Sequence, residues 1–311
     1  MDAGFHERVL VAGAGDIGLR MAELERQRGR RVWLLARTPE RAGILRELGY
    51  AVMELDLDTV STQPPACLQP QLAQGWHTVY YTIPPASSAG HDSDVRLTRL
   101  LAWLKAEGSL PAQWCYISTS GVYGPHDGAW VNESTPPAPV TARGRRRLAA
   151  EHTLEDWCQE QGVLCRILRV PGIYGPGRLP LARIRQRLPV VHPDEAPWSN
   201  RIHADDLAAI AVHLMHVLET GKPFEVFNVS DGRPSTMTEY FFDVADIAGL
   251  PRPPAISMQE AREVFTPQLM SFLDESRRLD ISKLQAVPGI CLRFPDSREA
   301  IRQILLEEGT V

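Results

Sequence analysis

Val9-Leu-Val-Ala-Gly13-Ala-Gly15-Asp-Ile-Gly18 is the stretch that decides the fold. An apolar run ends in three glycines spaced G-x-G-x-x-G, and a helix-like stretch, Ile17–Arg28, follows at once. In a strand–turn–helix unit each glycine has its own reason. Gly13 permits the tight turn, Gly15 lets backbone N–H groups approach a pyrophosphate, and Gly18 lets helix and strand pack closely. An anion held there meets the partly positive start of the helix. Gly13, Ala14, Gly15, Asp16, Ile17 and Gly18 are therefore the expected dinucleotide-binding turn, the alternative being a purely structural glycine turn.

Outward from that turn, apolar runs alternate with helix-like stretches. Strands are expected at Arg8–Gly13, Arg31–Ala36, Tyr50–Leu55, His77–Ile83, Trp114–Thr119 and Val163–Val170, and helices at Ile17–Arg28, Pro39–Leu48, Ser93–Glu107 and Arg143–Gln161. Such alternation calls for an α/β fold, a doubly wound parallel sheet of the Rossmann type. After Pro171 the pattern breaks up. Gly172–Gly177 reads as a turn-rich bend and Leu188–Pro197 as irregular, with helices at Asp205–Leu218, Thr236–Ala248, Ile281–Leu284 and Ser297–Glu308 and a strand at Phe224–Val229. The expected division is a nucleotide-binding domain over 1–175, helped by about 200–230, and a smaller substrate lobe over 176–311.

The second strand speaks to the choice of cofactor. It ends in Arg37-Thr38 where an NAD site would place an acidic residue on the ribose 2′-OH. A guanidinium there can pair with a 2′-phosphate instead, which favours NADP(H) over NAD(H). Thr38 can add a hydrogen bond, and Arg41 lies one helical turn away. The plain alternative for Arg37 is a solvated strand-end charge. Asp56 and Leu57 end the third strand, Asp56 as an acceptor for the adenine amino group or as a surface charge or helix cap. Thr82, Ile83 and Pro84 end the fourth, beside the expected ribose and phosphates.

Composition bounds the rest. The chain has 311 residues with 33 basic and 38 acidic side chains, a net charge of −5, so a nucleic-acid partner is not expected. Apolar runs fall far short of the roughly 20 residues of a membrane span. The first residues lack the basic-then-apolar pattern of a secretory signal, so a cytoplasmic protein is expected. Cys67, Cys115, Cys158, Cys165 and Cys291 are scattered without a CxxC pair, which fits reduced thiols and no metal site. His203, Asp205 and Asp206 read as the bend and acidic first turn of a helix, and His213 and His216 as structural. Gly-x-Ser-x-Gly is absent, as is the phosphate loop ending in Gly-Lys-Ser/Thr.

Four segments in order give a resemblance: the glycine turn; Ile117-Ser-Thr119-Ser-Gly-Val-Tyr123-Gly124; Arg169-Val-Pro171-Gly-Ile-Tyr174-Gly-Pro-Gly177; and Arg201-Ile-His-Ala-Asp205-Asp206-Leu-Ala. Together they resemble the extended short-chain dehydrogenase/reductases, the group that includes nucleotide-sugar epimerases and dehydratases. The resemblance covers most of the chain. It implies NAD(P) in the first lobe, with Pro171 beside it, a small-molecule substrate in the second, and commonly a homodimer. It also implies that Thr119 is the catalytic Ser/Thr, a strand-end hydroxyl serving the backbone being the alternative. The family's Tyr-x-x-x-Lys pair is missing, because Arg143 and Arg147 stand in its place. Guanidinium, with a pKa above about 12, cannot move protons near neutrality. Arg143 and Arg147 remain candidates for electrostatic work or for a solvated basic face. Tyr123 is a candidate replacement acid, with Tyr174 behind it, each against a packing role. Arg178, Asn200 and Arg201 supply donors on the expected substrate side, or else simple surface charge.

Overall fold

The computed structural model describes residues 8–58, 75–86, 93–217 and 222–309, so Cys67 and Leu218 lie outside the described residues. The first unit opens with β1 (Arg8–Ala12), α1 (Asp16–Gln27), β2 (Arg31–Ala36), α2 (Pro39–Glu47), β3 (Ala51–Glu54), β4 (Thr78–Tyr81), α3 (Val95–Ala106) and β5 (Gln113–Thr119). The chain then passes through β6 (Trp130–Val131) of the second unit and returns as α4 (Ala142–Gln161) and β7 (Leu164–Val170). Next come β8 (Gly172–Tyr174), α5 (Leu181–Arg185), β9 (Val190–Val191), β10 (Trp198–Ser199) and β11 (Arg201–His203) in the second unit. Helix α6 (Ala204–Val217) leads back toward β12 (Phe224–Asn228). The second unit finishes with β13 (Ser235–Thr236), α7 (Met237–Ile247), β14 (Ala255–Ile256), α8 (Met258–Val264), α9 (Pro267–Leu273), β15 (Arg278–Leu279), α10 (Ser282–Gln285) and α11 (Ser297–Glu307).

Seven strands form one sheet in the order β12-β7-β5-β4-β1-β2-β3. The pairs β1–β2, β1–β4, β2–β3 and β4–β5 are parallel, as the strand–helix alternation requires. The order reverses between β1 and β4, so the carboxyl ends of these two strands form the crevice where open α/β sheets take ligands. The chain crosses between its two units several times. Segments 120–141, 170–207 and 228 onward belong to the second unit, while 142–169 and 208–227 belong to the first. A parallel sheet needs a long crossover between successive strands, and the connection from β5 to β7 carries both the crossover helix α4 and the second-unit segment 120–141.

Helix starts follow local chemistry. Thr38 caps α2 ahead of Pro39, Asp94 caps α3 by accepting from Leu97 N, and Thr236–Glu239 and Ser257–Glu260 are reciprocal capping boxes on α7 and α8. In the first unit Trp76, Trp103 and Trp114 pack with Tyr81, Leu97, Leu100 and Leu154 in one cluster, each side chain at most 1% exposed. Full burial of a large apolar side chain contributes about 1.5–3 kcal/mol. A polar cluster lies elsewhere in the same unit. Glu25 of α1 accepts from the Tyr80 hydroxyl at 2.5 Å and pairs with His216 Nε2 at 3.1 Å. His216 is thus spent on holding α6 to α1.

The second unit is built from short strand pairs and two clusters, one around Tyr174, Val244 and Ile301, the other around Val191, Ala261 and Leu273. Residues 172–174 are a correction to the expected bend: they form β8, parallel to β11 with Ile173 opposite Ile202. Three residues with a single partner strand carry no periodic signal in sequence. Asp206, in the first turn of α6, accepts from the backbone N–H groups of Arg293 and Phe294 at 2.8 and 2.9 Å. That bond ties the helix start to the loop before α11.

Asp231 gives this unit a pH signature. Burial pushes its carboxyl up to about 6, against the pull of the Arg233 N–H and of the Arg201 and Arg233 charges. The folded chain therefore holds this proton between about pH 4 and 6 while the unfolded chain releases it, and stability falls as pH rises through that window. Burial also raises Asp206, which adds the same sign. Asp231→Asn is expected to flatten much of this slope, as urea midpoints measured across the window would reveal. An unchanged slope would remove Asp231 as its source.

Candidate cofactor and active site

The switch-point crevice holds the glycine turn. Gly13 has φ +113°, and a Cβ there would stand 2.4 Å from Thr82 Oγ1, so only glycine lets β1 and the end of β4 approach this closely. Thr82 Oγ1 itself donates to Gly13 O at 2.8 Å. At Gly18 a Cβ would fall 2.0 Å from Gly13 O, which confirms close helix–strand packing as the reason for the third glycine. Gly15 differs. A Cβ there would meet nothing within 4 Å, and Gly15 caps α1 without any side-chain hydrogen bond. Open space above uncapped amides at a helix start is what a pyrophosphate needs.

Arginines and carboxylates surround this turn. Arg41 Nη2 donates to Ala14 O at 2.8 Å, which brings a guanidinium to the glycine turn itself. Arg37 Nε lies 3.2 Å from Asp56 Oδ2, and its Nη1 lies 3.5 Å from Asp58 Oδ2, with the Arg37 side chain 62% exposed. Asp56 Oδ1 also accepts from Asp58 N at 2.9 Å, so each of its oxygens has a protein partner and a second acceptor site. Asp58 is gripped by Arg96, whose hydrogen bonds hold its carboxyl below the usual range. Arg96 also donates to Pro84 O at 2.9 Å, and Arg99 donates to Leu57 O, so the ends of β3 and β4 are tied together. Thr38 is occupied as a helix cap: its hydroxyl accepts from Arg41 N and bonds the Glu40 carboxylate. Ile17 is buried in α1, and Asp16 pairs with Arg20 at 2.8 Å.

At the end of β5, Thr119 is half-buried. Ser118, one residue before it, points the other way and donates to Glu151 of α4, which also pairs with Arg169 Nη2 at 2.7 Å. These charges are 3% and 6% exposed. The sequence reading missed this clamp, although a charged residue inside the apolar run of β7 was its signal. Arg147 of α4 is half-buried. Its Nη1 donates to the Tyr116 hydroxyl at 3.0 Å and to Ile117 O at 2.9 Å, and the guanidinium lies over the Tyr116 ring. It braces β5. Arg143 is half-buried in the first turn of α4.

In the second unit several candidates are turned to the protein's own atoms. Tyr123 is fully buried and donates to Asn228 Oδ1 at 2.7 Å, so its hydroxyl is a packing bond and its expected role as acid falls. Tyr174 is 2% exposed and its hydroxyl is pushed far up by burial, which removes the weaker alternative. Asn200 donates to Arg277 O at 3.0 Å and accepts from Leu279 N at 2.8 Å. Arg201 donates to the Ser235 and Ser199 hydroxyls and lies 4.0 Å from the Tyr240 ring centroid. Neither is left to touch a substrate, because each is at most 8% exposed and spent on unit packing. Arg178 is exposed after the Gly175–Gly177 turn, and Pro171 is half-buried.

The model of the NAD dependent epimerase/dehydratase family matches residues 9–230. The chain belongs to that family. Solved structures agree. A functionally unknown conserved protein from Silicibacter pomeroyi is 27% identical, with a TM-score of 0.80, covering 97% of this chain and 99% of its own. A protein from Methylobacillus flagellatus, provisionally assigned as an NAD-dependent epimerase/dehydratase, is 27% identical with a TM-score of 0.72 over 98% and 99%. UDP-N-acetylglucosamine 4-epimerase from Bacillus cereus shares the fold at 18% identity, TM-score 0.70, over 97% and 99%. No curated protein matches in sequence. Epimerase/dehydratase family members depend on a nicotinamide dinucleotide, and the bare amides of α1, the room at Gly15 and the two nearby guanidinium groups fit one. Among the described residues no cluster of His, Cys, Asp or Glu is arranged for a metal, and no helix is long and apolar enough to cross a membrane. Cys115, Cys158, Cys165 and Cys291 are free thiols.

Proposed function

We propose that this family member binds NADP(H) and acts on a carbonyl or hydroxyl of a small sugar-like or nucleotide-linked molecule. The observation that carries the cofactor choice is the pair of guanidinium groups at the end of β2 and on the glycine turn, Arg37 and Arg41. A 2′-phosphate would have to draw Arg37 from both Asp56 and Asp58. With Arg37 62% exposed, each of these pairs is worth only about 0–1 kcal/mol, and a phosphate that itself carries close to two negative charges is the stronger partner. NADP(H) supplies hydride transfer when bound. Thr119 then orients the substrate oxygen from the end of β5, and Arg143 stabilises negative charge as it develops there. No guanidinium exchanges protons at neutral pH, so the proton passes through water. On the substrate side, exposed Arg178 suits an anionic group, in keeping with a relative named for a UDP-linked sugar. Cytoplasmic residence and a homodimer complete the reading.

Arg37→Ala is expected to weaken NADPH binding by about 10–100-fold, as for loss of a charge-assisted hydrogen bond, and to leave NADH nearly unchanged. Calorimetric titration of both cofactors checks this. Equal losses for both would sink the assignment of Arg37 to the extra phosphate.

A non-catalytic, nucleotide-sensing protein is the second reading. One observation favours it: Arg147, at the place of the family lysine, turns its Nη1 to Tyr116 and Ile117 and so braces β5. NADPH oxidation measured over a panel of nucleotide sugars and small carbonyls separates the two. Binding without any turnover would leave the sensing reading standing and end the enzymatic one.

A further inference from the structure

The second unit contains a cavity of about 540 Å³, walled by α5, the loop after it, the end of α8, and α9. Its size falls within the roughly 300–1,000 Å³ of small-molecule sites. Three large apolar side chains remain open along it: Leu188 at 39%, Val264 at 62% and Phe272 at 45% exposure. Exposed apolar groups gathered on one hollow mark a ligand or partner site more often than scattered ones do.

Thr266 and Gln268 also line the cavity, and its charged group is Arg183. Its guanidinium lies 5.4 Å from the Phe265 ring centroid and 5.9 Å from that of Phe241, and Nη2 donates to Pro189 O at 2.9 Å. Among the described residues no carboxylate pairs with it. Burial draws its pKa down, and no acidic group pulls it back. A partly dehydrated cation held on aromatic faces, with most of its five donors unspent on protein, is complementary to one planar anion. A phosphate dianion fits poorly, since a single guanidinium would leave half its charge facing apolar walls.

We propose that this cavity binds a small amphipathic carboxylate, with the carboxyl group on Arg183 and an aliphatic or aromatic body along Leu188, Val264 and Phe272. The site lies wholly within the second unit and stands independently of the cofactor reading, because its test involves neither nucleotide nor turnover.

Decanoate and 4-phenylbutyrate, each beside its uncharged amide, serve as probes in calorimetric titrations of the full chain. The carboxylates are expected to bind at least tenfold more tightly than the amides. Arg183→Gln is expected to erase that preference. Because Arg183 also braces Pro189, a second variant guards against misfolding: Val264→Glu, at an exposed position, puts a like charge at the rim and is expected to weaken the carboxylates tenfold at an unchanged melting temperature. Equal affinity for acid and amide, no binding of either, or affinity untouched by both variants overturns the proposal. So does concentration-dependent self-association lost in Val264→Glu, which would make the hollow a contact between copies.

Discussion

Gly15→Ala is expected to leave the melting temperature of the nucleotide-free protein nearly unchanged while weakening NADPH and NADH alike by about 100-fold, close to 2.7 kcal/mol. Gly18→Ala is expected to damage both folding and binding. The two glycines lie three residues apart in one turn, yet the structure gives them opposite surroundings. Gly15 has an extended backbone, φ −81° and ψ −170°, that any residue adopts, and its added methyl would meet no protein atom. The methyl would instead fill the space above the α1 amides. At Gly18 the methyl would overlap Gly13 O at 2.0 Å and press on Val11 Cγ1 at 3.1 Å. Backbone cannot yield as a flexible side chain does, so α1 must tilt off β1, an overpacking cost of about 1–3 kcal/mol or more. Thermal melts with and without nucleotide, joined to calorimetry, read both effects. Normal affinity in Gly15→Ala would mean that the pyrophosphate does not lie on this turn.

Removing Glu151 is expected to be strongly destabilising to the first unit. The carboxylate accepts from Ser118 and from Nε and Nη2 of Arg169, with both charges almost wholly buried. Glu151→Ala removes the buried counter-charge of Arg169, at a cost of about 3–5 kcal/mol. In a chain of this size that is a fall in melting temperature of roughly 5–8 °C. Ser118 precedes Thr119, so the loosened end of β5 is also expected to lower any turnover more than nucleotide affinity. Glu160→Ala is the control: its pairing with Lys105 lies on the surface, and the melting temperature is expected to move by no more than about 1 °C. A Glu151→Ala melt close to the parent would mean that water reaches Arg169.

Much of the first unit was readable one residue at a time. Strands β1, β2 and β5 and helices α1, α2 and α4 fall within one or two residues of the runs read from sequence, because each is long enough for its period to register. Caps such as Thr38-Pro39 and Thr236–Glu239 act across three or four residues, yet the sequence reading assigned Thr38 to the cofactor and the structure shows it capping α2. The second unit was not. Its two- and three-residue strands, β8 with β11 and β9 with β14, exist only because a partner strand supplies the hydrogen bonds. Helices α5, α8 and α9, of five to seven residues, are too short to show a face.

The site divides along the same line. Sequence by itself determined the glycine turn, the doubly wound sheet and the arginine that ends β2, since backbone sterics and local hydrogen bonding fix those within one short segment. Only the tertiary structure decided which polar groups are left to meet a ligand. Tyr123, Arg147, Asn200 and Arg201 have the chemistry of site residues, yet each is bonded to protein atoms distant in sequence or buried against another element. Burial makes an unmatched donor costly, so a buried side chain goes to whatever acceptor the fold brings near it, and that neighbour is set by packing over the whole unit rather than by spacing along the chain.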